Sequence, residues 1–251
     1  MKAKRYLQGI TGGLLGCGLL AVTATGAMAQ EEEPWAELAV DTYSQYIWRG
    51  YAFSRDSLII QPSMTVGWQG FSVNLWGNLD TDLYGVDTSV WNETDLTLAY
   101  DHTIGPVDLS AGYIYYGLGG EDDTQEVYLA AGYDTLLAPS LTVYRDIDGA
   151  PGWYVSLAIG HSIPLADNLS LDLGAQAGYV YTSDYDALHD GVISVALPYL
   201  VGEYFTVAPV VAYSFALSSD AKDELEAAND EAIEHDKANF VYGGLSLSMT
   251  F

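Results

Sequence analysis

Residues 168–181 read NLSLDLGAQAGYVY, and their alternation restricts the fold more than any other feature of the chain. Leu169, Leu171, Leu173, Ala175, Ala177, Tyr179 and Tyr181 share one parity, while Ser170, Asp172, Gly174, Gln176 and Gly178 share the other. A period of two belongs to a β-strand, whose successive side chains point to opposite faces. One face suits hydrocarbon, and the other suits water or a packed polar interior. The same split recurs in ETDLTLAY (93–100), VDLSAGYIYY (107–116), EVYLAAGYD (126–134), WYVSLAIGHSI (153–163) and the final GGLSLSMTF. The longest apolar run, 191–219, is split by Glu203, interrupted by Pro198 and Pro209, and otherwise rich in β-branched and aromatic residues. It predicts a pair of short strands rather than a spanning helix.

Short and long connections alternate between these segments. Gln69-Gly70, Gly105-Pro106, Leu137-Ala138-Pro139, Ala166-Asp167-Asn168 and Gly202-Glu203 are tight-turn sequences. Longer connections cover 51–56, 84–92, 117–124, 147–152, 182–190 and 218–238. About twelve strands lie between them, an even number that suits an all-β, antiparallel, up-and-down transmembrane barrel with both chain ends on the short-turn side. A soluble sandwich or lipocalin-like barrel shares the alternation and the turns. Two features weigh against it. Aromatic residues gather at strand ends as two interfacial girdles, comprising Tyr46, Trp48, Trp68, Phe71, Tyr113, Tyr115, Trp153, Tyr179 and Tyr181. The polar face carries small residues and single carboxylates, a poor filling for a soluble core.

Charge and targeting narrow the setting. Lys2, Lys4 and Arg5 precede a largely uncharged apolar stretch and then Ala27-Met28-Ala29, which predicts an export signal over 1–29 removed at Ala29 and a barrel over 30–251. A lipoprotein signal at Leu14-Leu15-Gly16-Cys17 is the competing reading; cleavage there strands the Ala27-Met28-Ala29 site. Loss of 1–29 removes the single cysteine and three of the 8 basic residues, leaving 5 basic residues against 34 acidic ones. That balance excludes nucleic acid as a partner, because phosphates must be met by Lys and Arg. It admits divalent cations at the acidic loops.

The last residues place Leu245, Leu247, Met249 and Phe251 on one face of a strand that ends in phenylalanine. This ending resembles the C-terminal signal by which outer-membrane barrels are recognised by their assembly machinery. With the export signal it implies the Gram-negative outer membrane, with its lipid and lipopolysaccharide as surroundings. Near the other end, residues 44–78 carry Tyr46-Ile47-Trp48-Arg49-Gly50, then a serine-containing turn and a second strand containing Pro62. Together with YGGLSLSMTF this resembles the TorF/Gcw type of uncharacterised outer-membrane barrels. The resemblance implies fold and location and imports no chemistry.

Parity along the first strand sends Leu38, Val40, Tyr46 and Trp48 outward, and Glu37, Asp41, Tyr43, Gln45 and Arg49 into the lumen. Asp80, Asp95, Glu126, Asp134, Asp146 and Asp172 share the inward parity. An inward arginine among carboxylates can hold several of them through forked hydrogen bonds, either tying the wall together or setting the charge of an eyelet. Arg145 has outward parity and reaches lipid headgroups by snorkelling. No serine or paired carboxylate accompanies His102, His161, His189 or His235 in a triad pattern, so no enzyme is expected, and no cofactor. Asp146-Ile147-Asp148-Gly149 lacks the later glutamate of a calcium loop and reads as a turn. Residues 218–238 are acidic and helix-favouring, with Ser219 as cap and Leu225, Ala228 and Ala232 on one face, which predicts a short helix in the last long loop, as a partial lid, a ligand-binding surface or a solvated loop without a role.

Twelve strands imply a narrow, partly obstructed lumen. The expected function is a narrow channel for cations or small polar solutes. The rival is a non-conducting structural or interaction barrel acting through its acidic outer loops.

Overall fold

The computed structural model describes residues 33–55, 57–82, 89–149, 152–233 and 237–251. The export signal with Cys17, and His235, lie outside them. The wall begins with β1 (Trp35–Tyr43), after which two short strands, β2 (Ile47–Trp48) and β3 (Tyr51–Ala52), pair with each other as a separate hairpin. The wall continues through β4 (Ile59–Trp68), β5 (Phe71–Asp80), β6 (Val90–Ile104), β7 (Val107–Leu118), β8 (Thr124–Tyr133), β9 (Ser140–Asp146), β10 (Trp153–Ala166), β11 (Leu169–Tyr181) and β12 (Asp186–Ala196). It ends with β13 (Tyr199–Val201), β14 (Phe205–Ala216), the helix α1 (Ser219–Ile233) and β15 (Phe240–Thr250).

Each wall strand pairs antiparallel with its neighbours, β1 pairs with β15, and the circuit is complete. β12 and β13 are one wall position interrupted at Leu197-Pro198, since both lie between β11 and β14. Counted so, the described residues form a closed barrel of twelve strands. Closure satisfies every strand edge, which is the condition for a sheet to stand in hydrocarbon. Pro198 marks the interruption, whereas Pro209 stands within β14 opposite Leu245 without ending it.

The outer surface is apolar along its length: Leu38, Val40, Met64, Val66, Leu129, Leu157, Ile193 and Val211 are all exposed there. Their sequence neighbours Glu37, Asp41, Thr65, Ser156 and Ala212 are buried inside. The short turns, the start of β1 and the end of β15 share one rim. At Gln69-Gly70 both residues have positive φ, 52° and 86°, the twist that a two-residue hairpin needs between right-twisted strands.

The long-loop half of the lumen is filled. After Tyr43 the chain leaves the wall, and the β2–β3 hairpin turns inward. Tyr46, Ile47 and Ala52 of this segment pack against Tyr43, Ile59, Trp76, Val192, Val210, Ala212, Phe240 and Tyr242 of the wall. Each fully buried apolar side chain in that cluster contributes roughly 1.5–3 kcal/mol, so the hairpin is a built part of the barrel. Towards the short-turn rim the inward positions are small, among them Ser110, Gly160, Ser162, Gly174, Ser246 and Ser248.

Candidate functional site

The tip of the inward hairpin is Arg49-Gly50, a two-residue turn between the paired Trp48 and Tyr51 with φ of 50° and 85°. Both values lie in the left-handed region, where glycine is at ease and arginine is uncommon. Gly50 is also confined: a Cβ there would come within 2.9 Å of Leu225 Cδ1. The turn projects the Arg49 side chain across the lumen to β8, β9 and β10.

There the guanidinium meets a prepared pocket. Its Nη1 and Nη2 donate to the two oxygens of Glu126, at 2.7 and 2.8 Å. Its central carbon lies 4.3 Å from the ring centre of Trp48, 4.7 Å from Tyr144 and 4.2 Å from Tyr154. Tyr116 donates its hydroxyl to Glu126 Oε2 at 2.9 Å, the same oxygen that accepts from Arg49 Nη2. The Tyr154 hydroxyl donates to Asp190 at 3.0 Å and accepts from Gln176 Nε2 at 2.8 Å.

Asp190 reaches this network through an irregularity. The β11–β12 register shifts between Ala177 and Tyr179, so that His189 and Asp190, although consecutive, are both buried inside. Gly178 opposes them, and a Cβ on it would lie 2.1 Å from Asp190 Oδ1 and 2.4 Å from the Tyr154 hydroxyl. The absent side chain is what lets that hydrogen bond form. His189 is bonded to the Tyr185 hydroxyl at 2.7 Å, with its ring against Tyr51.

Helix α1 lies over the hairpin. Ala221, Leu225 and Asn229 form its buried stripe. Asn229 accepts the Ala52 N–H at 2.8 Å and donates to the Lys237 carbonyl at 2.7 Å. Ser218, rather than Ser219, caps the helix by accepting the Ala221 N–H at 3.1 Å.

Several residues stand where inward parity puts them. Asp41, Asp80 and Asp95 are buried inside the wall, Asp172 accepts from Ser162 at 2.6 Å, and Asp146 accepts from Thr124 at 2.8 Å at the long-loop rim. Gln45 is buried in the segment leading to the hairpin. Asp134 is displaced from its expected place: β8 ends at Tyr133, and Asp134 is exposed in the short-rim turn, its N–H donating to the Pro106 carbonyl. Tyr46 and Trp48 are also displaced. They are not girdle residues, because the strand ends at Tyr43 and their segment folds inside, leaving Tyr46 only 2% exposed with its ring against Trp76.

Trp68, Phe71, Trp153 and Tyr181 are exposed on the outer surface, and Tyr113, Tyr115 and Tyr179 are half-buried at outward positions. Leu245, Leu247 and Phe251 are exposed on the same surface, with Met249 half-buried in line. Arg145 points outward over the Trp153 ring at 5.0 Å. Asp146 and Asp148 make the turn expected of them, the Asp148 N–H donating to Asp146.

The pocket residues Tyr116, Tyr144, Tyr154 and Asp190 escape a reading by parity. The available clue is that inward positions are small or polar over most of the wall, whereas 116, 144 and 154 place rings there on β7, β9 and β10. The bulge at Asp190 leaves no mark in the alternation.

A closed twelve-strand wall with an apolar outer belt and a polar, partly filled interior defines an outer-membrane-type β-barrel. The chain shares its fold with a NanC porin solved in a rhombohedral crystal form, at a TM-score of 0.57 and 11% identity over 84% of this chain and 98% of that one. It aligns more loosely with the COG4313 outer membrane channel from Pseudomonas putida F1, at a TM-score of 0.47 and 10% identity over 87% of this chain and 94% of that one. A Pseudomonas aeruginosa FadL homologue gives 0.45 and 12% over 94% and 93%. No family model and no curated protein matches the chain, so its likeness to the TorF/Gcw type rests on 44–78 and 242–251 alone.

Proposed function

We propose that this barrel is a narrow channel for cations or small polar solutes in the outer membrane of a Gram-negative cell, with the long-loop rim facing outward. The observation that carries the reading is the one-sided charge of the inner wall. Glu37, Asp41, Asp80, Glu93, Asp95, Glu126, Asp172 and Asp190 point inward, whereas among the described residues no lysine or arginine of a wall strand does. Arg49, which does reach inside, is delivered by the hairpin and is paired with Glu126. Such a lumen concentrates cations and repels anions.

The test is reversal potential in a planar bilayer. The purified barrel should show cation preference, and that preference should weaken as salt rises from about 0.1 M, where charges are screened over ~10 Å, towards about 1 M, where screening takes ~3 Å. The tight seat of the hairpin under α1 favours a second reading, a non-conducting barrel whose acidic outer loops bind partners or, through divalent ions, lipopolysaccharide. Absence of conductance, with and without residues 218–238, would overturn the channel and promote that reading.

A further inference from the structure

The pocket around Arg49 is almost entirely a property of the wall. Glu126, Tyr116, Tyr144, Tyr154 and Asp190 come from five different wall strands, and only Trp48 comes from the hairpin. A structural ion pair requires no more than a carboxylate. Here the carboxylate is held by a tyrosine hydroxyl so that both its oxygens receive one fork of N–H groups, at 2.7 and 2.8 Å. Two further wall rings flank the cation, at 4.7 and 4.2 Å.

A bidentate carboxylate with aromatic faces is the recognition geometry of a planar, weakly hydrated cation, and it fits a guanidinium better than a compact ammonium. The group that fills it arrives on a turn whose φ of 50° suits glycine better than arginine. Apart from Trp48, the recognition elements of the pocket thus belong to the wall and not to the hairpin.

We propose that this pocket is a binding site for guanidinium-bearing solutes, and that Arg49 is its tethered occupant. A solute guanidinium takes the place of Arg49 when the hairpin tip withdraws. The route to the pocket rests on the channel reading of the lumen, but occupancy of the pocket does not require conduction.

The test uses Arg49→Gly, which empties the pocket while suiting the backbone of the turn. Thermal unfolding of the purified barrel in detergent is followed with methylguanidinium chloride or, at equal ionic strength, methylammonium chloride. Arg49→Gly should unfold earlier than the parent, and methylguanidinium should restore stability at concentrations at least about tenfold lower than methylammonium requires. The Arg49→Gly/Glu126→Gln barrel should show no such difference. If Arg49→Gly does not fold unaided, its refolding yield from urea with each cation reads the same interaction.

Equal responses to the two cations, or a methylguanidinium effect that survives Glu126→Gln, would overturn the proposal. A barrel that conducts but shows no methylguanidinium effect loses this site and keeps the channel. One that is stabilised by methylguanidinium but never conducts keeps the site and loses the channel.

Discussion

Arg49 and Glu126 show how one buried pair can fix the position of a whole hairpin. With side chains only 13% and 5% exposed, removing one partner leaves an uncompensated charge away from water, at roughly 3–5 kcal/mol. Glu126→Gln alone should therefore lower the urea midpoint of the folded barrel more than the double Arg49→Gly/Glu126→Gln change does; an equal or smaller loss in the single variant would show that the pair is not the anchor. Gly178→Ala is a second residue-scale test. Its methyl group falls on the Asp190–Tyr154 contact and should cost about 1–3 kcal/mol in the same measurement, as overpacking does.

Titration gives a third. The exposed Asp123 carboxylate accepts the Tyr115 hydroxyl and the Leu118 N–H, which hold its pKa below the ordinary aspartate range. Its stabilising contribution is present above the ordinary carboxylate range and disappears as pH falls through the lowered value. The Asp123 carboxyl resonance should accordingly titrate below the ordinary aspartate range and move up in Tyr115→Phe; an unmoved midpoint would remove Tyr115 as the cause. Inward Arg49 was legible from parity, but parity carried it there along a wall strand, whereas the molecule carries it on a turn. A hairpin with one face against an apolar wall alternates with the same period as the wall, so the departure at Tyr43 leaves no trace in the sequence.

The hairpin and helix α1 are the elements whose relation decides how open the barrel is. A short helix within 218–238 was legible from composition, because that preference is local, and it forms over Ser219–Ile233 with its cap one residue earlier than expected. Its docking was not legible, since Ala221, Leu225 and Asn229 become a buried stripe only when the hairpin lies beneath them. Asn229 satisfies the Ala52 N–H, a buried donor that would otherwise cost roughly 1–3 kcal/mol. Asn229→Ala should thus speed hydrogen exchange at Ala52 by about tenfold or more while leaving the wall strands protected. Unchanged exchange at Ala52 would separate the helix from the hairpin. If the two act as one cover, deleting 218–238 should also raise conductance in the bilayer; an unaltered conductance in a conducting barrel would leave the hairpin alone as the obstruction.

At the scale of the whole molecule, alternation and turn chemistry were enough for the class of fold and the strand number, because a strand with one apolar and one polar face can be satisfied only by a sheet with two different sides. The register in which β1 meets β15, and the division of the lumen into a filled half and a small-residue half, depend on long-range contacts and were not readable. The same topology puts the start of β1, the end of β15 and the short turns on one rim, and α1 on the other. It makes a prediction about orientation that either outcome can decide. Asp223 is exposed on the outer face of α1, and Asp167 is exposed in the β10–β11 turn. Exposed sites of this kind tolerate short insertions, whereas Asn229 does not qualify because its side chain holds the hairpin. An epitope inserted after Asp223 should bind antibody on intact cells, and one inserted after Asp167 should bind only after the outer membrane is permeabilised. The reverse pattern would turn the barrel over, placing the Arg49 pocket and its acidic cover at the inner rim and removing the outward-facing mouth on which the channel reading depends.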